Sequence, residues 1–101
     1  MSASTPGDLA VAFRSLAKRL TNAQNDHTPS GAVAGATSEI EAAVADAARV
    51  LGSSATPEGV AAAIDARHIN DWTTEDLTAL QRCADDAARA IRRVENLSQR
   101  D

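Results

Sequence analysis

From Trp72 to Leu97 the chain contains neither glycine nor proline. Leu77, Leu80, Ala84, Ala87, Ile91 and Val94 recur there at alternating steps of three and four, the spacing of one face of an α-helix. At ~1.5 Å per residue such a helix is roughly 36 Å long, the span of a whole small domain. A rod of that length with one apolar stripe must lay the stripe against other elements, so helical packing is the architecture to expect. The local signals agree. Thr73 is placed to cap the helix, with Asp76 three residues on, and Trp72 and Leu77 hold the positions of a hydrophobic staple. Glu75 and Asp76 fall in the first turn and Arg92 and Arg93 come late, so both ends suit the helix dipole. Arg82, Asp85, Asp86 and Arg89 alternate in sign at steps of three and four, which reads as a solvated outer face.

Every proline follows a threonine: Thr5-Pro6, Thr28-Pro29 and Thr56-Pro57. Threonine as cap with proline at the first helical position is a start signal, because the proline lacks an N–H that would be unpaired there. With Thr73 these pairs count out four helices. The first is expected over residues 5–20, with Leu9, Phe13, Leu16 and Leu20 as its stripe. Residues 21–27 are polar and turn-prone and open an expected loop over 21–37. Ser38 and Glu41 form a capping box, which suggests a start there, while Val33, Ala36 or Thr37, Ile40, Val44, Ala47 and Leu51 continue one stripe upstream and suggest a start near Thr28. The second helix is expected as solid from Ser38 to Leu51, with an irregular lead-in from about residues 28–30. Gly31 and Gly35 weaken that lead-in by up to ~1 kcal/mol each, and Gly52 ends the helix as a left-handed cap. The third helix is expected over 56–67, the fourth over 73–97, and residues 98–101 should fray. Thr5-Pro6 to Phe13 and Thr56-Pro57 to Ile64 share a pattern, a faint echo of the kind a duplicated hairpin leaves.

Composition sets the limits. The chain has 101 residues and net charge −4, enough for one domain with one core. Alanine supplies 23 of its 44 hydrophobic residues, and Leu, Ile, Val and Phe together number 18. The core is therefore thin, and thin cores in long helices are commonly completed by a second copy. The mild acidity argues against nucleic acid as a default partner. Cys83 is the single cysteine, which excludes an internal disulfide framework and suits a reducing, cytoplasmic compartment. No signal peptide and no membrane span is read.

The chain offers few tools for chemistry. Asp65, His68 and Asp71 lie at steps of three, and Asp26-His27 offers the one other local contribution. A metal site needs more ligands from facing helices, so His68 reads as a surface residue at a helix end. Cys83 has no histidine in its helix and reads as a small, partly buried hydrophobe. Asp85 and Asp86 are adjacent, point apart, and do not form a carboxylate pair. A short helix feeding a long one raises a helix-turn-helix reading, but Asp71, Glu75 and Asp76 would meet DNA phosphates at the start of the second helix. Arg89, Arg92, Arg93 and Arg100 lie at the far end and are the possible nucleic-acid contacts. Nor does the chain carry the pattern of small WXG-type helical hairpins: Trp72 is followed by Thr73-Thr74, and no family is recognised.

These readings converge on an all-α fold, a four-helix bundle or partly open bundle with a long C-terminal helix packed on the second helix and flanked by the first and third. The expected function is a non-enzymatic protein-interaction module, self-associating as a homodimer through Leu77, Leu80, Ala84, Ala87, Ile91 and Val94, with no cofactor, no metal and no membrane. The alternatives are a small nucleic-acid-binding regulator using the four arginines and a small-molecule or metal-binding bundle.

Overall fold

The computed structural model describes residues 5–26 and 31–99. It contains four α-helices: α1 Pro6–Asp26, α2 Gly31–Leu51, α3 Pro57–Ala66 and α4 Thr74–Gln99, with a 3-10 turn at Ile69–Asp71 before the last. The fold is an all-α helical bundle. No helix among the described residues is long and apolar enough to cross a membrane.

Three boundaries depart from the sequence reading. The expected loop over 21–37 is mostly helix: α1 continues to Asp26 and α2 begins at Gly31. The stripe Leu16, Leu20 extends to Ala23, which is buried, while Asn22 and Asn25 face solvent. Thr21 donates its hydroxyl to the Ala17 carbonyl inside the helix. Turn-prone residues cost only a few tenths of a kcal/mol each in a helix, and burial of the next stripe position outweighs that. In α2, buried Ala36 and Ile40, with Val33 packed against the core, carry the stripe upstream of Ser38, so the Ser38–Glu41 pattern lies inside the helix and starts nothing. The Thr28-Pro29 pair lies outside the described residues. At the other end α4 runs through Ser98 to Gln99, past the expected fraying point.

The remaining ends follow their signals. Gly52 adopts φ +68° and the Ser53 N–H bonds the Ala48 carbonyl at 3.0 Å, the hydrogen bond that closes a left-handed helix cap. Thr56 accepts from the Gly59 N–H at 2.9 Å with Pro57 in the first turn of α3. Thr73 accepts from the Asp76 N–H at 3.1 Å at the head of α4.

Consecutive helices supply little of the bundle, and of them α2 and α3 alone meet among the described residues. The most extensive pairing is α2 with α4, followed by α1 with α3, α1 with α4 and α2 with α3; among the described residues α1 does not touch α2, and α3 does not touch α4. Glu39 pairs with Arg93 while Asp46 lies close enough to act on Cys83, so α2 and α4 run antiparallel. Arg14 pairs with Asp65, and Lys18 shares a groove with Glu58, so α1 and α3 are antiparallel too. The expected placement of α3 on the flank of α4 is corrected: α3 lies against α1 and α2. Ile91 and Val44 meet in one core with Phe13, Ile40, Val60, Ile64 and Leu80. The body measures 47 × 29 × 17 Å, two helices thick given ~8–10 Å between packed axes.

Two glycines inside helices separate close approach from idle freedom. A Cβ on Gly59 would stand 2.8 Å from the Thr56 hydroxyl and 3.1 Å from the Ser54 carbonyl, whereas one on Gly35 would meet nothing within 4 Å. Gly35→Ala should raise stability by up to ~1 kcal/mol in denaturant unfolding. Gly59→Ala should lower it by about 1–2 kcal/mol by displacing the cap, and equal shifts in both variants would contradict this account.

Candidate functional site

The apolar stripe of α4 is the strongest functional signal in the sequence, and the chain uses most of it on itself. Leu80, Ala87 and Ile91 are 0% exposed and Val94 1%, sealed against α1 and α2. Leu77 and Ala84 are half-buried at the edge of the stripe, packed against the core from one side. Periodicity reports that a face is apolar, not what covers it. The four sealed residues are therefore out of reach of a partner while the chain stays closed.

What stays open on α4 is the flank beside Leu77. Thr74, Leu77, Thr78, Gln81, Arg82 and Asp85 line a groove of about 490 Å³, and all its described lining residues belong to α4. The side chain of Gln81 crosses it. Its Nε2 donates to Asp85 Oδ1 at 3.0 Å, while its Oε1 is buried with no hydrogen-bond partner among the described residues. An unpaired buried carbonyl costs about 1–3 kcal/mol.

The arginines proposed for nucleic acid do not form a free basic patch. Arg93 is ion-paired with Glu39 across the α2–α4 groove, and Arg89 stands 4.0 Å from Asp86. Arg92 is exposed, and its charge helps to lower the pKa of Glu95. Arg100 lies outside the described residues. Asp46 and Asp86 line the same groove as Arg89 and Arg93. A phosphate approaching here meets carboxylates at the same range as guanidinium groups, and non-specific affinity depends on net phosphate neutralisation.

The histidine corner is dispersed. Asp65 is held by Arg14, and exposed His68 turns inward on its own backbone, its Nδ1 accepting from the Asn70 N–H at 3.2 Å. His27 lies outside the described residues. Among the described residues no three His, Cys, Asp or Glu side chains gather as metal ligands. Cys83 is buried. Burial pushes its thiol pKa up, and the carboxylates of Asp46 and Asp86 push it further. The thiolate needed for nucleophilic or redox work is thereby disfavoured.

Sequence reasoning missed a cluster at the turn into α4. The Arg67 guanidinium lies over the Trp72 ring, 4.7 Å from its centre, and its Nη2 donates to Asp76 at 2.8 Å. Its Nη1 is buried without a hydrogen-bond acceptor among the described residues and depends on the ring face for compensation, a contact of ~0.5–2 kcal/mol. The clasp ties the end of α3 to the start of α4, two helices that do not otherwise touch. Separations of five and nine residues match no helical spacing, so only the scarcity of tryptophan hinted at it. A second link the sequence did not announce joins α1 to α4: Arg19 Nε donates to Glu95 Oε2 at 2.9 Å and Nη2 to Oε1 at 2.5 Å.

The Arg19 hydrogen bonds hold the Glu95 carboxyl below its ordinary value of 4.5. A lowered carboxylate pKa adds stability that is complete above the unfolded value and disappears as pH falls through the folded one. Both side chains are over a third exposed, so the pair contributes about 1 kcal/mol or less. Arg19→Ala should therefore be less stable than wild type at pH 7, with the gap closing below pH ~4.5. Carbon-detected titration should show Glu95 returning to its ordinary value in the variant; an unchanged Glu95 titration would refute the assignment. No known protein family, characterised protein or solved structure matches the chain.

Proposed function

We propose that this chain is a non-enzymatic protein-interaction module that associates with itself as a homodimer. The observation that carries the reading is the uncovered flank of α4, where Leu77 and Ala84 stay half-exposed beside the open groove. An apolar seam with a polar rim is the usual anatomy of a protein contact. Symmetric dimers require a self-complementary patch. The order Arg82, Asp85, Asp86, Arg89 supplies one, because an antiparallel copy shifted by about one turn sets arginine against aspartate at both ends. The groove is short, so the contact belongs to the small, transient class. A buried lone cysteine with a raised pKa suits a reducing, cytoplasmic setting.

Light scattering across a hundredfold dilution tests this directly. The mass should climb from one chain toward two as concentration rises. Thr78→Arg, at an exposed position in the groove, should return the protein to one chain with unchanged circular dichroism. A single-chain mass at every concentration, or a dimer indifferent to Thr78→Arg, would remove the groove from consideration.

A further inference from the structure

Every helix–helix contact among the described residues joins one half of the chain to the other. α1 touches α3 and α4, and α2 touches α4 and α3, but neither half has a contact between its own two helices. The dividing point is the connection from Gly52 to Thr56. The long-range ion pairs obey the same rule: Arg14 with Asp65, Arg19 with Glu95 and Glu39 with Arg93 each cross it. Within the second half, the Arg67–Trp72–Asp76 clasp fixes how α3 leads into α4.

This has a direct energetic consequence. Leu9, Phe13 and Leu16 on α1, and Ile40 and Val44 on α2, are buried only because α3 and α4 cover them. No hairpin within a half can do so. A second copy offers the same α3 and α4 surface, atom for atom. We propose that two copies of this chain exchange halves, α1 and α2 of each packing on α3 and α4 of the other, with Gly52–Thr56 as the hinge. The exchanged dimer keeps every helix contact and every crossing ion pair outside the hinge. What changes is local backbone: the left-handed Gly52, the Ser53 to Ala48 bond and the Thr56 cap on Gly59.

Because the contacts are conserved, the balance between closed monomer and exchanged dimer rests on two quantities. One is the effective concentration of the tethered half, in the millimolar range for short connections. The other is the conformational cost of the closed hinge, low in wild type because glycine occupies the left-handed position. Hinge substitutions are known to tip such balances. This association is independent of the α4 groove, since it needs none of the residues that line it.

The test uses the full chain carrying Cys83→Ala, Glu39→Cys and Arg93→Cys, so that a short bismaleimide bridges a pair in contact across the halves. In the first variant Gly52, Ser53, Ser54, Thr56 and Pro57 are all replaced by alanine, the strongest helix former, which merges α2 and α3 into one rod. α3 can then no longer fold back on its own α1. The expected result is a two-chain particle by light scattering, with wild-type helix content and a cooperative melt, that runs as a covalent dimer on a denaturing gel. A folded monomer, or a dimer whose bridge stays within one chain, overturns the proposal; the second outcome would identify face-to-face association instead.

Should that variant fail to fold, Gly52→Ala decides. Its added Cβ meets nothing within 4 Å and only strains φ +68°. Relief of that strain is worth roughly tenfold per hinge, so about a hundredfold in the dimerisation constant for the two hinges released. The dimer should again cross-link between chains. A Gly52→Ala protein that remains a monomer up to about 1 mM, at or above the usual effective concentration of such a tether, overturns exchange.

Discussion

Where α2 and α4 run antiparallel, Ala43, Ala47, Ala48, Ala87 and Ala90 are all buried. Small side chains let helix axes approach toward the short end of the ~8–10 Å range, and close approach multiplies dispersion contacts that few bulky residues would otherwise supply. The bundle depends on this. With so little leucine, isoleucine, valine and phenylalanine in the chain, a wider spacing would leave gaps around Ile40, Leu80 and Ile91, and unfilled volume in a core is paid in stability.

The arrangement of the other helices follows from that pairing. Once α4 lies on α2, α1 reaches the opposite side of the α4 stripe, and the short α3 fills the space between α1 and α2. Among the described residues α1 and α2 end up diagonal in space, as do α3 and α4, while α2 and α3 keep a small contact. Such a layout leaves α3 and α4 without mutual packing, and the Arg67 guanidinium stacked on Trp72 and bonded to Asp76 takes over the work of holding their junction. It also leaves the edge of α4 beside Leu77 open.

Charge is spent in the same way. Six arginines have carboxylate partners within 4.0 Å among the described residues. Three of these pairs tie one half of the chain to the other and a fourth tightens the junction between α3 and α4. Exposed pairs add little stability individually. Their collective effect is to orient long helices and to set carboxylates beside the arginines they pair with. Of the arginines that the sequence offered as a phosphate-binding set, Arg93 is drawn into the α2–α4 pairing and Arg89 lies beside Asp86.

Local physics was legible residue by residue. The stripe of α4, the caps at Thr56 and Thr73 and the left-handed Gly52 are set by interactions within four or five positions, so the spacing alone announces them. The step from Leu20 to Ala23 was hidden by polar neighbours, whereas the stripe through Val33 and Ala36 was legible but set against two glycines and a capping box at Ser38, and only burial decides between such local signals. The face Leu80, Ala87, Ile91 and Val94 could be named from the sequence, yet whether it met a partner or the chain's own helices could not. That choice depends on which helices lie beside which, and here those neighbours are dozens of residues apart. The sequence by itself determined the helices and their apolar faces. Only the tertiary structure decided that the faces close across the two halves of the chain, because long-range pairing is fixed by the joint fit of four helices and leaves no periodic mark on any one of them.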